Sequence, residues 1–470
     1  MACPNIAPRL IHRYYATMPL SNSFAAVSRV ICVLAAVASP AAGDESGPVR
    51  HSPTTRPNIL LILTDDQRWD TIRALGNPEI QTPHLDQLVG RGFRFHNAYC
   101  MGSMISAVCL PSRTMLITGR SLWRIPANPQ AAARPPGVPL LPVSFNEAGY
   151  RTFHCGKSEN ACTFGNAAFT TNITVNRRTP DTARECAEHV IEFIDEHDAR
   201  QPFFIYFAPP VPHDPRVAPP EFVRLYDPSK LSLSKNFMPQ HPFDNGSLRI
   251  RDELLAAIPR VADEMRQHLA DYYAAISNLD YECGRIFDSL KARGLAENTI
   301  IVFSSDQGLA VGGRHGLMGK QNLYEHVKPP LIFAGPGIPH SRSNALVYLF
   351  DLYPTLCDLA QIKIPEMVEG KSLVPVMRGE KPRVREWLLG AHREHQRMIR
   401  DERWKLLEYN VGGVRNRQLF DLRNDPDEIT NLADDRRYQG ERARLEKLLT
   451  QARGEFGDPV ALDAKDGSQP

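Results

Sequence analysis

The string Cys109-Leu110-Pro111-Ser112-Arg113, continued by Thr114-Met115-Leu116-Ile117-Thr118-Gly119-Arg120, sets one thiol just before a proline, where a helix can start, with an arginine four residues on. Pro111 suits a first helical turn because its missing donor costs nothing there, and unpaired backbone N–H groups make that end of a helix positive. A thiol in such a field is polarised and faces anions. Spacing alone leaves a plainer alternative standing, a buried cysteine that opens an ordinary helix.

Carboxylates form the second group. Leu63-Thr64 runs into Asp65-Asp66-Gln67, and Ser304-Ser305 into Asp306-Gln307-Gly308. Two adjacent carboxylates repel each other unless something positive lies between them; alone, the first pair also reads as a solvated turn or helix cap. Three carboxylates and an amide oxygen make a hard, all-oxygen shell suited to Ca2+ rather than zinc.

These groups need a scaffold that brings them together. Asn58–Thr64, Pro202–Ala208, Thr299–Ser304 and Leu331–Ala334 are short apolar runs, as expected of strands buried on both faces, and helical periodicity runs from Pro180 to about His197 and from about Ala262 to Arg293. The pattern predicts an α/β fold, with a large mixed, mostly parallel sheet flanked by helices. The acidic groups then sit at carboxyl ends of strands, as does His213 after Phe207-Ala208, and in open α/β sheets that is where ligands bind. Arg403–Tyr409 and Gln418–Leu422 read as exposed strands, followed by a helix from about Arg436 to Gly454, so a smaller C-terminal antiparallel sheet plus helix is expected. The expected division is a catalytic unit over 44–370, a C-terminal unit over 371–456 and a disordered tail over 457–470. The polar stretch Leu225 to Pro259 is expected to rim the active site.

The cysteine string resembles the signature of the type I sulfatases of the alkaline phosphatase superfamily, CxPSR followed by a TG pair, matched at Cys109, Pro111, Ser112, Arg113, Thr118 and Gly119. The likeness extends from about Arg56 to Leu432. Its other anchors are Ser305-Asp306-Gln307-Gly308 and Leu419-Phe420-Asp421-Leu422. The resemblance implies that a formylglycine-generating enzyme oxidises Cys109 to formylglycine, an aldehyde that hydrates to a gem-diol. One hydroxyl attacks sulfur, and the second later expels the sulfate by re-forming the carbonyl. It implies one calcium ion held by Asp65, Asp66, Asp306, Gln307 and the modified Cys109. Gly156-Lys157, Pro212-His213-Asp214-Pro215, and His315-Gly316 with Gly319-Lys320 and Glu325 match further family strings. By resemblance Lys157, His213 and Lys320 hold the sulfate oxygens, Arg113 pins the hydrated aldehyde, His213 or Lys320 protonates the departing alcohol, and His315 belongs to the same catalytic set.

One departure stands out. The family's GKWH string has a histidine two residues beyond the lysine, where this chain reads Gly156-Lys157-Ser158-Glu159-Asn160. Glu159, His154 or His315 are the candidates to replace it. The competing readings are a phosphoester hydrolase of the same superfamily, and a sulfated-glycan-binding protein that has lost turnover.

Composition sets the remaining bounds. At 470 residues, 42 % hydrophobic and 23 % charged, the chain can bury a large core, and a net charge of +2 gives no case for nucleic acid as a partner. An apolar run from Val30 to Ala38 behind Arg29, with Ala41-Ala42-Gly43 as a cleavage site, predicts a signal peptide over 1–43, and Met18 is the expected alternative start of translation. No later stretch nears the length of a membrane span, so a soluble protein of the periplasm or exterior is expected, with no role at a membrane. Of nine cysteines, six lie outside the leader and the motif and permit disulfides without specifying any. A sulfated small molecule or glycan is the expected substrate.

Overall fold

The computed structural model describes residues 56–126, 133–176 and 178–459; the signal peptide expected over 1–43 lies outside them. In chain order the strands are β1 (Asn58–Thr64), β2 (Phe93–Tyr99), β3 (Gly102–Ser103), β4 (Arg151–Gly156), β5 (Thr171–Thr174), β6 (Phe203–Ala208), β7 (Thr299–Ser305), β8 (Leu331–Ala334), β9 (Ser341–Tyr348), β10 (Leu388–His392), β11 (Gln396–Arg400), β12 (Trp404–Val411) and β13 (Val414–Asp421). Every residue of β1 is buried, and its alternate side chains enter different cores: Ile59, Leu61 and Leu63 one, Leu60 and Ile62 the other. A strand covered on both faces has no polar side, which is why these runs are continuous rather than alternating.

The large sheet has the order β5-β4-β6-β1-β7-β8-β2-β9. Helices Cys109–Thr118, Leu141–Glu147 and Leu352–Leu359 cover one face; Pro83–Arg91, Thr182–Glu196 and the long helix Ala262–Ala292 cover the other. The two helices expected from periodicity thus form within two residues of the expected ends. β8 runs antiparallel to both neighbours, so the sheet is mixed at this point. The segment joining β7 to β8 is a long loop and not a helical crossover, and an antiparallel return does not require one.

The smaller sheet has the order β13-β12-β11-β10-β3 and is covered by the helix Gln439–Phe456. Two features depart from the expected division. Residues Val374, Val376 and Met377 pack into the core of the large sheet, so the small sheet starts only at Leu388. Its β3 edge comes from far upstream: Gly102 and Ser103 pair in parallel with Ala391 and His392. At Gly102, with φ 109°, a Cβ would run into the Ala391 carbonyl, so only glycine allows this approach. The expected tail is ordered at its beginning, because Asp458 is gripped by Arg397 (2.6 and 2.9 Å) and Arg453 (2.9 Å). The described cysteines are all free thiols, and no described helix is long and apolar enough to cross a membrane.

Candidate active site

Strands β4, β6, β1 and β7 lie side by side and parallel, with Gly156 paired to Ala208 and Thr64 to Ser305. Their carboxyl ends are therefore level, and the residues that follow converge: Lys157, His213, Asp65 with Asp66, and Asp306 with Gln307. Asp66 is in the left-handed region, φ 70°, which costs a non-glycine residue about 1–3 kcal/mol. Local bonds hold it there. Its N–H donates to Asp306 Oδ1 (3.0 Å), its carbonyl accepts from the Tyr272 hydroxyl (2.7 Å), and the next N–H, of Gln67, donates to Ser305 Oγ (2.8 Å).

The helix Cys109–Thr118 approaches the same strand ends and is buried along its whole length. Ser112 Oγ donates to the Asp306 carbonyl (2.7 Å), and Arg113 Nε donates to Asp306 Oδ2 (2.9 Å). With the helix fixed there, Cys109 Sγ comes within 3.6 Å of Asp66 Oδ1 and 3.2 Å of Lys320 Nζ. Gly119 ends the helix at φ 66°, where a Cβ would lie 2.8 Å from Val368 Cγ1, so the TG pair is required by the turn.

Cations close the cluster. Lys157 Nζ donates to both oxygens of Asp65 (2.7 and 2.6 Å), and Lys320 Nζ to both of Asp66 (3.0 and 2.7 Å). His213 Nε2 is 3.6 Å from Asp66 Oδ2, while its Nδ1 is 2.8 Å from the Asp214 carbonyl. Because a carbonyl only accepts, that contact puts the proton on Nδ1 and turns Nε2 inward. Arg113 Nη2 is buried 3.7 Å from Asp65 and has no hydrogen-bond partner.

Burial opposes ionisation of all three carboxyls, with different outcomes. Lys157, then His213, Arg113 and Lys320, outweigh it at Asp65 and hold that group well below the usual carboxylate range. Asp66 is also lowered, by Lys320 and His213. At Asp306 burial wins over Arg113, and the carboxyl is pushed up to about 6. Burial also raises the Cys109 thiol, and the Asp306 and Asp66 charges add to it, so that it lies well above its ordinary value despite Lys157 and Lys320. The positive field expected at a helix start is outweighed here by burial and by the two carboxylates.

Asp65, Asp66, Cys109 and His213 offer ligand atoms all within 4.8 Å of one another. Two adjacent buried carboxylates held ionised, with Cys109 Sγ beside Asp66, suit a hard divalent cation. Asp306 borders this group through its bonds to Asp66 and Arg113, and Gln307 borders it through Nε2, 3.3 Å from Asp66 Oδ1.

The candidate substitutes for the missing histidine are not brought in. His315 stacks on Tyr324, ring centroids 3.9 Å apart, and its Nε2 meets the Glu428 carbonyl at 3.1 Å. Burial lowers its pKa to about 3, and it has no bond to the cluster. His154 is bound to Asn172 (2.7 Å) within the sheet, and Glu159 is exposed. Sequence reasoning missed Tyr272, which looks like one more core aromatic in a long helix. It also missed Arg251 and Asp252. Arg251 reaches Asp214 and Asp252 (3.1 Å to the latter), and Asp252 lies 3.9 Å from Lys320 and accepts from Gln321 (3.0 Å). Their one signal was position, in the polar stretch expected at the rim.

The family model described as Sulfatase matches residues 57–362, and one described as N-sulphoglucosamine sulphohydrolase, C-terminal, matches 313–455. An N-acetylglucosamine-6-O-sulfatase of Bacteroides thetaiotaomicron is 24% identical, over 86% of this chain and 88% of its own length. A choline-sulfatase of Rhizobium meliloti is 29% identical, over 87% and 89%. Among solved structures, a protein in complex with its substrate D-glucosamine-2-N,6-O-disulfate superposes with a TM-score of 0.73 at 22% identity, covering 87% of this chain and all of that one.

Proposed function

Because the chain belongs to the sulfatase family of the alkaline phosphatase superfamily and is a sulfuric ester hydrolase, we propose that it cleaves sulfate esters of carbohydrates with a formylglycine made from Cys109 and one calcium ion. The observation that carries this reading is the setting of Cys109. Its sulfur lies 3.6 Å from Asp66 Oδ1 and 3.2 Å from Lys320 Nζ, in a CxPSR string, and burial with the neighbouring carboxylates raises its pKa. Conversion to an aldehyde gives this position a nucleophile that does not depend on a thiolate. The hydrated aldehyde supplies two geminal hydroxyls, one to attack sulfur and one to expel sulfate afterwards.

Calcium would be held by Asp65, Asp66 and the modified Cys109, with Asp306 and Gln307 beside them, and would supply Lewis acidity at the diol. The chain's own residues do the rest. Arg113 holds the helix and its nucleophile against Asp306, and its unpartnered Nη2 is a donor for the diol or an adjacent oxyanion. Lys157 and Lys320 exchange their carboxylate contacts for sulfate oxygens. His213, with its resting proton on Nδ1, takes up a proton at Nε2 from the attacking hydroxyl and passes it to the departing alcohol.

A carbohydrate substrate draws support from the sugar sulfatase and disulfate-complex relatives, and from the long loop beside the site. Export to the periplasm or exterior rests on the leader over 1–43, and fractionating cells of the native host tests it.

The chemistry is tested on protein coexpressed with a formylglycine-generating enzyme. The peptide spanning Cys109 should carry the aldehyde, and sulfate release from 4-nitrophenyl sulfate should stop with EGTA and resume with Ca2+. Full release from an unmodified thiol would sink the formylglycine reading, and release indifferent to chelation would sink the calcium reading. If aryl sulfate turned over while a panel of sulfated glycans gave nothing, the carbohydrate reading would fall.

A further inference from the structure

The segment Met238–Asp252 has the active site at one end and two cavities along its length. At its carboxyl end, Arg251 and Asp252 reach Asp214 and Lys320, the neighbours of the cluster. Just before them, a cavity of about 560 Å3 is lined by Ile250, Arg249, Asp244, Phe243 and, from the small sheet, His395. A second cavity, of about 440 Å3, shares Pro242 and Phe243 with the first and lies against the small sheet. Phe243, packed on Tyr409 with ring centroids 4.8 Å apart, is the partition between them.

The second cavity has the chemistry of a binding site. Arg415, Arg417 and Arg442 contribute guanidinium groups, while Tyr324, Phe420 and Ile429 supply apolar surface. Arg417 meets Glu408 (3.1 Å), and Arg442 faces Glu446 (3.4 Å), so these forks are held in place while the Arg417 side chain stays 41 % exposed. On the acidic side, Asp434 lines the wall, and the Glu428 carboxylate is turned to Lys405 (2.8 Å). His315, only 5 % exposed, lines the same cavity, and its Nδ1 has no hydrogen-bond partner. A buried polar atom without a partner costs stability unless a ligand or water completes it.

We propose that these two cavities are consecutive subsites of one groove, which holds the continuation of a polysulfated oligosaccharide whose scissile sulfate lies at Cys109. This rests on the carbohydrate-sulfatase reading above and specifies it: the substrate is a chain of at least three sugars. Sugar rings lie against aromatic faces by their C–H surfaces, and planar guanidinium groups take sulfate or carboxylate in bidentate fashion. Arg251 is the specificity residue at the junction. Bound to Asp214 beside His213 and to Asp252 beside Lys320, it meets the first sugar beyond the scissile ester.

Binding tests this independently of turnover. Heparin, chondroitin sulfate and carrageenan hexasaccharides and their disaccharides are titrated into the mature protein by calorimetry, with inorganic polyphosphate of matching charge as control. At least one hexasaccharide should bind tenfold or more tighter than its disaccharide. Arg417→Ala and Arg415→Ala, both on an exposed edge strand, should each weaken that hexasaccharide about tenfold while leaving kcat/KM for 4-nitrophenyl sulfate unchanged. Equal affinity for hexasaccharide and disaccharide in all three series would overturn the groove, as would polyphosphate binding as tightly or both variants binding like the parent. Tight, arginine-dependent hexasaccharide binding without sulfate release from any ester would support the groove and strike the sulfatase chemistry instead.

Discussion

Two of the buried charge clusters among the described residues, one at the junction of the sheets and one at the strand ends, differ in what lies among their charges. At the junction of the two sheets, Glu325 accepts from Tyr99, Lys405 (3.1 Å), Arg400 (3.0 Å) and Lys328 (2.8 Å), and Glu428 pairs with Lys405. Each charge there faces an opposite one, and Glu325 is held well below its usual range, against its burial, by Arg400, Lys328 and Lys405. At the strand ends, Asp65, Asp66 and Asp306 are likewise matched by Lys157, Lys320 and Arg113. That cluster nevertheless leaves an arginine nitrogen without a hydrogen bond, a thiol beside the Asp66 carboxylate and Asp66 in a strained backbone region. Perturbed acidity alone would not tell the clusters apart, since structural ion networks shift pKa values too. Backbone strain would not either, since Glu428 shares the left-handed region at φ 57°; what sets the strand-end cluster apart is a thiol among its charges and an arginine nitrogen left without a hydrogen bond.

The sharpest way to break the comparison is to alter one residue in each cluster. Cys109→Ser should abolish multiple turnover in a steady-state sulfate-release assay, because a serine sulfate ester cannot eliminate, while thermal unfolding stays where it was; steady turnover by this variant would remove the gem-diol. Glu325→Gln should do the reverse. It leaves Arg400 and Lys328 without their carboxylate, while Lys405 keeps Glu428, a loss on the order of 3–5 kcal/mol by denaturant titration. An unchanged midpoint would show that the junction is not structural.

Calcium should separate the clusters next. A ligand that binds only the folded chain stabilises it by about 2.7 kcal/mol at a hundredfold excess over Kd, so Ca2+ should raise the Tm of the parent and not of Asp66→Asn. An equal rise in both would place the ion elsewhere. pH gives a smaller effect. Burial, resisted by Lys405, lifts Glu428 to about 7, above its unfolded value, so its share of stability is full in acid and is lost as pH rises through about 7. Glu428→Gln should therefore flatten the pH dependence of Tm between 5 and 8, and a parallel curve would contradict the assignment. Smallest of all, Glu159→Gln should leave kcat within about twofold, since Glu159 is exposed and takes no part in the cluster. A large drop would make it the missing base after all.

How much of this was legible in the sequence depended on how local the signal was. The strands announced themselves, because burial on both faces forces an unbroken apolar run, and the acidic pairs lay directly after them. The Cys109 string was readable because one helix turn carries it whole. His315 misled because a family string fixes order along the chain, whereas the ring's direction is set by stacking on Tyr324 and a bond to Glu428, more than a hundred residues on. Tyr272, Arg251 and Asp252 act through contacts with partners distant in sequence, and no periodicity reports that. The direction of β8 was equally hidden, since a short buried run reads the same either way.

The small sheet is not a detachable module. Its edge is built from Gly102 and Ser103, with the Ala391 N–H bonded to Met101 (3.0 Å) and the Arg393 N–H to Ser103 (2.6 Å), and Cys109 follows six residues after Ser103. A chimera that grafts the C-terminal part of a relative onto this chain replaces four strands of that sheet but leaves the fifth behind. The new sheet would then have to recognise a foreign edge, and any slip in its register would be passed along a six-residue tether to the nucleophile.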